Sequence, residues 1–351
     1  MEPIRLLTTL FPTPREVMLS KLTGNKASQT LGAKNVAQAV MVNLVNRSPD
    51  YMKRANLDAE FLTQLGAYSQ AGAVGAGAGA ALTKLQQFGG MLKGEDNMHA
   101  IARSSQRVRV GDGSVVEAHG YGDVVAGNNA FVTGGDGGNS ITVGDKSAAV
   151  GGRGKDVILG GDNAMVRAGE GNDVVMVDHG SVVAGDEGDD GITVGANSIV
   201  DGGDGRDTIT ADHGSQIQGG AGDDRITLTR GRDFIAAEEI AQVDGGTGDD
   251  SIQLDRVVAD ITYRRGDGTD TLGGDLGGST LILKDYRESD VTHKLTFDGR
   301  QMKLELTFAN SLRDKITVTG IQLEKNQNFV IQYRGGAETR LDGLMERLLQ
   351  A

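Results

Sequence analysis

Four short stretches, GGRGKD (151–156), GGDGRD (202–207), GGAGDD (219–224) and GGTGDD (245–250), place three glycines and an aspartate at fixed positions. Glycine at the first, second and fourth places opens backbone torsions closed to other residues and leaves carbonyl oxygens uncovered. The sixth place supplies a carboxylate at Asp156, Asp173, Asp190, Asp207, Asp224 and Asp250, with Asn139 in the first clear copy. Carbonyl and carboxylate oxygens, in a chain without Cys, are the hard ligands that Ca²⁺ takes and that Zn²⁺ or Cu²⁺ does not favour. The candidate metal-binding residues are therefore Gly151, Gly154 and Asp156; Gly171 and Asp173; Gly188 and Asp190; Gly202, Gly205 and Asp207; Gly219, Gly222 and Asp224; and Gly245, Gly248 and Asp250. The competing expectation is that the glycines only shape turns and the aspartates cap them. Turn-making alone, however, does not call for a stack of like charges.

The spacing says which elements carry these turns. Aligned on the first place, copies begin at 134, 151, 168, 185, 202 and 219, seventeen residues apart. A degenerate copy fits at 117 (EAHGYGDVV), the next clear one begins at 245, and a weak one spans 265–273 (RGDGTDTLG). The stretch 229–240 reads as an insertion. Fixed periodicity of this kind predicts a solenoid. Each period holds two short strands. Ile141, Ile158, Val175, Ile192, Ile209 and Ile226 face inward from the first, and Val132, Ala149, Val166, Val183, Val200 and Ile217 from the second. Stacked coils lie about 4.8 Å apart, and a Ca–O distance of about 2.4 Å lets one ion bridge two successive turns.

The pattern GGxGxDxUx, with U a large aliphatic residue, resembles the RTX nonapeptide of haemolysin-type calcium-binding proteins. That resemblance covers roughly half the chain. It implies a parallel β-roll that lodges Ca²⁺ between successive turns, and export by type I secretion guided by an uncleaved C-terminal signal. One departure is plain. Each coil here is nine plus eight residues, and the eight-residue half, such as VGDKSAAV (143–150), lacks the glycine pair. Calcium is expected along one edge only, with the other edge closed by side-chain and backbone hydrogen bonds.

Three regions follow from the pattern: a helical N-terminal region (1–108), the β-roll (109–273), and a β cap with a C-terminal helix (274–351). KNVAQAVMVNLVN (34–46) spaces Val36, Val40 and Leu44 at helical intervals, and LDAEFLTQLGAYSQ (57–70) does so with Leu57, Phe61 and Leu65. AGAVGAGAGAA (71–81) reads as a linker or small-residue helix. Residues 274–335 alternate like antiparallel strands, and 337–351 reads as an amphipathic helix with Leu341, Leu344, Met345 and Leu348 on one face.

Composition narrows the function. Gly is 54 of 351 residues, aromatics are 4% and Trp is absent, so a thick ordinary core is not expected. The net charge of −13 is uneven: residues 109–273 carry 30 acidic and 12 basic residues, whereas 1–108 carry 7 and 12. An acidic middle argues against nucleic acid. No apolar run is long enough for a membrane span, and the N-terminus lacks the features of a cleavable signal peptide. His179 and His213, both in DHGS, stand two coils apart, too far to share an ion. Neither HExxH nor GxSxG occurs, so no enzyme is expected. The mixed, charged third-place row (Asp136, Arg153, Glu170, Glu187, Asp204, Ala221, Thr247) offers no flat repeating ice-binding face.

The expected molecule is an extracellular or cell-surface bacterial protein, structural or adhesive, whose β-roll folds on binding Ca²⁺. Its partners would be calcium, further copies of itself, or surface and matrix components. The alternatives are an exported effector or toxin-like protein with a partner- or membrane-binding helical N-terminus, and the calcium-binding accessory part of an extracellular enzyme.

Overall fold

The computed structural model describes residues 86–350, apart from 89–90, 97, 103–105, 232–239, 298–301, 310, 312 and 322–327. The expected helices at 34–46 and 57–70 and the small-residue stretch 71–81 lie outside the described residues.

Among the described residues the strands form two sheets, of 15 and 13 strands, which face each other across a thin core. Successive strands alternate between the sheets, and each pairs in parallel with the strand one coil away. The result is a parallel β-solenoid of about 11 turns. In the first sheet Val157–Gly160 lies between Ser140–Thr142 and Val174–Val177, with Ile158 opposite Ile141 and Val175. In the second, Met165–Glu170 lies between Ala148–Arg153 and Val182–Glu187, with Val166 opposite Ala149 and Val183. The two inward rows expected from the period-two alternation are buried along their whole length. The branched side chains stack row on row, a thin seam that fits the scarcity of aromatics.

The solenoid begins earlier than residue 109. Met91–Lys93 pairs in parallel with Arg107–Arg109, and His99–Ala102 with Val115–Ala118, in both cases sixteen residues on. The described residues of 91–108, expected to be helical, thus belong to strands and turns of the first coils. The physical reason is local. From Ala100 to Val108 and from Val116 to Val124 the step between inward positions on the glycine side is eight residues rather than nine. It carries no GGxGxD, so nothing in the motif marks these coils. From Asp123↔Ser140 onward the register is seventeen.

Pairing of Gln216 with Gln242 and of Arg225 with Ser251 steps over nine extra residues, as the insertion requires. The next coil is twenty residues long, Ser251 pairing with Thr271, and it is the weak copy at 265. Beyond it the purely antiparallel cap expected for 274–335 is mixed. Thr280–Leu283 and Val330–Tyr333 continue the second sheet in parallel, and Lys315–Ile321 continues the first. Among the described residues of the cap, only Val291–Phe297, Met302–Phe308 and Glu338–Arg340 bring antiparallel pairs. Alternation marks a strand but carries no direction. The cap buries a ring stack of Tyr263, Tyr286 and Phe308, with centroids 4.1 to 6.3 Å apart. The terminal helix is Leu341–Gln350, shorter than expected, and buries Leu341 and Leu344.

Candidate metal centre

The two edges of the solenoid are built from different turns. On the glycine edge, the turn 202–207 shows the logic of the repeat. Gly203 and Gly205 have φ of 113° and 144°, a region costly for a residue with a Cβ. A Cβ on Gly205 would overlap the Gly188 carbonyl oxygen one coil back. The Gly205 N–H donates to the Ala221 carbonyl one coil forward, at 2.7 Å. The first place, Gly202, is not in the left-handed region, and its requirement is space. A Cβ there would overlap both the Oδ2 of Asp207 and the carbonyl oxygen of Gly219 in the next coil. The same holds at Gly151, with Asp156 and Ala168, and at Gly185 and Gly219; at Gly245 the overlap is with Asp250. The partner registers of the second sheet step over this position, from Asp201↔Gln218 to Gly203↔Gly220.

The sixth-place side chains form a ladder inside the edge. The backbone N–H of each sixth-place residue donates to the Oδ1 of the aspartate one coil on. This runs from Asn139 to Asp156, Asp173, Asp190, Asp207, Asp224, Asp250 and Asp270, at 2.5 to 3.1 Å. Every one of these aspartates is buried. Asp270, in the twenty-residue coil, belongs to the ladder although the seventeen-residue count does not reach it; the aspartate of GDGTD (266–270) was its signal. Burial pushes the carboxyls up, to about 6 at Asp156, Asp207 and Asp250, about 7 at Asp190, about 8 at Asp224 and about 9 at Asp270. Neighbouring carboxylates add to the rise, and the donated backbone N–H opposes it. Asp173 is raised for the same reason.

In six of these seven aspartates, all but Asp270, the other oxygen has no such partner. Among the described residues, the buried side-chain oxygens and nitrogens without a hydrogen bond are Oδ2 of Asp156, Asp173, Asp190, Asp207, Asp224 and Asp250, with Asn139 Oδ1 and Asp244 Oδ1. Leaving such an atom buried and unpaired costs about 1–3 kcal/mol, more for a charged group. Six in a row are a large standing cost.

The eight-residue edge shows no such deficit. Buried serines accept backbone N–H groups from the preceding coil: Ser147 from Ala130, Ser181 from Ala164, Ser198 from Ser181 and Ser215 from Ser198, at 3.0 to 3.2 Å. An outer ladder runs the other way. The N–H groups of Asp112, Asn128, Asp145, Asp162 and His179 donate to Asp96, Asp112, Asn128, Asp145 and Asp162, at 2.7 to 3.1 Å. His179 Nδ1 then accepts the Ala196 N–H at 3.0 Å, so this histidine is a rung of the ladder. The expectation of one hydrogen-bonded edge is met, and the serine row is a feature the sequence reading did not pick out.

The glycine edge is not uniform. In coil 168 the first place is Ala168, buried, where the other strong copies have glycine. Its methyl takes the position that lies, in the neighbouring coils, between a carboxylate oxygen and a carbonyl oxygen. The second place of coil 185 is Asp186, at φ 75°, paired with Arg167.

Among the described residues no three His, Asp or Glu side chains gather round one point. An ion at this edge would therefore be held by one or two carboxylates completed by backbone carbonyls. The unpaired Oδ2 atoms and the carbonyls converging on the first-place glycines are hard oxygen donors, and they fit Ca²⁺. No protein-family model matches the chain. No curated protein matches it in sequence.

Proposed function

We propose that the glycine edge holds a row of Ca²⁺ ions and that the solenoid folds as it loads. The observation that carries this reading is the row of buried, unpartnered Oδ2 atoms, which at Asp156, Asp190, Asp207 and Asp224 lie beside the first-place carbonyl of the next coil. Asp156, Asp190, Asp207, Asp224 and Asp250 would hold the ions with the first-place carbonyls. Bound Ca²⁺ neutralises carboxylates and ties each coil to the next. The residues themselves supply the frame: Oδ1 is fixed by a backbone N–H, so Oδ2 is left to face the first-place glycine. A proton can occupy the same place between Oδ2 and the carbonyl, so acid and calcium compete for it.

The chain as a whole is then an extracellular or cell-surface bacterial protein with a structural or adhesive role, the resemblance to the RTX repeat and the acidic middle supporting that reading. At the low calcium of a cytoplasm the carboxylate row repels itself and the array stays open; at millimolar calcium outside, it closes. The test is ion counting by native mass spectrometry and calorimetry on the full chain. Asp207→Asn should lower the number of ions bound at about pH 7.5, whereas Asp212→Asn, on the eight-residue edge, should leave it unchanged. Equal losses in both, or no binding at millimolar calcium, would refute the one-edge array.

A further inference from the structure

Three departures from the repeat fall on one step of the array, the step from coil 168 to coil 185. Ala168 stands fully buried at the first place, where Gly151, Gly185, Gly202, Gly219 and Gly245 leave room beside a carboxylate. Asp186 stands at the second place with φ 75°, where Gly152, Gly169, Gly203, Gly220 and Gly246 have φ of 101° to 121°. Arg167 stands just before the first place, where the other copies from 151 to 245 have Val150, Ala184, Asp201, Gln218 and Asp244. The last two departures meet. Arg167 Nε donates to Asp186 Oδ2 and its Nη2 to Oδ1 at 3.4 Å, and these side chains are 29% and 14% exposed. The pairs Arg153–Glu170 and Arg206–Asp223, which also span one coil, are more than half exposed on both sides.

We propose that this pair stands in for an ion, tying coil 168 to coil 185 where the Ala168 methyl leaves no room for Ca²⁺. The inference rests on the reading of the glycine edge as a calcium row. It divides that row in two, a lone site at Asp156 and a run from Asp190 to Asp250. A positive φ is costly for a residue with a Cβ, and glycine would close the turn without that cost. The guanidinium that meets Asp186 accounts for an aspartate there. A two-point contact of opposite charges, partly withdrawn from water, is among the stronger hydrogen-bonded pairs, whereas exposed pairs contribute little. It fixes one coil to the next by charge, as a shared ion would. The Asp156 site is isolated on its other side as well. There Asn139 Nδ2, an N–H donor, lies with the Gly151 carbonyl around the Gly134 position, where the later coils have a carboxylate oxygen. Asp173 keeps its rung of the ladder and its unpaired Oδ2, so what separates it from Asp207 is the methyl at its first place.

The test uses the full chain. Ions are counted by native mass spectrometry, and melting is followed in millimolar calcium at about pH 7.5 and in EGTA at about pH 5. Asp173→Asn should leave the ion count unchanged, whereas Asp156→Asn and Asp207→Asn should each lower it. Arg167→Gln and Asp186→Asn should each lower the melting temperature by about 2–8 °C, equally with and without calcium. Asparagine tolerates a positive φ, so the second variant tests the charge and not the torsion. The double variant should lose no more than either single one, as for two members of one contact. Adding Ala168→Gly to the Arg167→Gln chain should bind one further ion and recover the loss in calcium but not in EGTA. Fewer ions in Asp173→Asn, additive losses in the double variant, a loss confined to calcium, or no recovery with Ala168→Gly would each overturn the assignment while leaving the calcium row standing. An unaltered chain that bound no ion at all would instead refute the row itself, and the substitution with it.

Discussion

The glycine edge and the eight-residue edge solve the same problem in opposite ways. Each must close a turn every coil and satisfy the polar groups that stacking buries. The eight-residue edge does it with neutral hydroxyls and short polar side chains, and each serine or Asx rung finds a backbone partner. The glycine edge uses aspartates, satisfies one oxygen of each and, from Asp156 to Asp250, leaves the other unpaired. A turn that needed only hydrogen bonds had a working solution within the same coil, in serine. The carboxylates therefore point to a cation, and the glycines that give them room point the same way.

The largest effect should come from filling the glycine edge. Gly222→Ala forces a side chain into φ 129° and onto the Gly205 carbonyl, so it should cost more than about 3 kcal/mol and unravel the neighbouring coils. Thermal melting in calcium measures it, and a near-normal melting temperature would mean that the turn is more pliant than its geometry. Next comes Asp224→Ala, which removes a proposed ligand from the middle of the ladder. At free calcium of about 100 to 1,000 times Kd, losing one ion costs about 3–4 kcal/mol. In the metal-free protein at about pH 8 the same change should be far milder, because the raised carboxyl is costly there.

A smaller effect is expected on the opposite edge. Ser198→Ala strands the buried Ser181 N–H and should cost about 1–3 kcal/mol. That loss should be equal with and without calcium, with no change in ions bound. A calcium-dependent loss would erase the distinction between the edges. The smallest effect is the most specific. Ala168→Gly should cost about 0.5–1 kcal/mol without metal, by backbone entropy, and should add one ion to the count by opening the place beside Asp173. An unchanged count would show that the methyl does not close that coil.

Much of this contrast was legible in the sequence, because it depends on period. The seventeen-residue repeat fixes which residues stack, and so places Asp207 above Asp224 and Val183 above Val200. Nine-plus-eight spacing also tells the two edges apart. What could not be read is geometry internal to one turn. Gly202 and Gly203 are the same letter, yet Gly203 is needed for its torsion and Gly202 for the oxygens beside it. Nor does spelling show that Oδ1 of an aspartate is engaged and Oδ2 is not. The first coils escaped notice because their turns lack the motif, although Ala100 and Val108 hold the same inward places as Val132 and Ile141. Asp270 was hidden by three extra residues in its coil.

The central claim is that the glycine edge needs a positive charge, and its most direct test is the calcium-free protein as pH changes. An ordinary aspartate titrates near 3.8, whereas Asp207, Asp190 and Asp224 are raised to about 6, 7 and 8. Folded carboxyls thus bind protons more tightly than unfolded ones. Their contribution to stability is complete below about pH 4 and is lost as pH rises through about 6 to 8. Circular dichroism and thermal melting of the full chain in EGTA should therefore show β structure at about pH 5 that is weakened or absent at about pH 8. Millimolar Ca²⁺ at the higher pH should restore it. A cooperative melt in EGTA at about pH 8, as high as at pH 5 and unmoved by calcium, would contradict the account and leave the apolar seam as what holds the solenoid together.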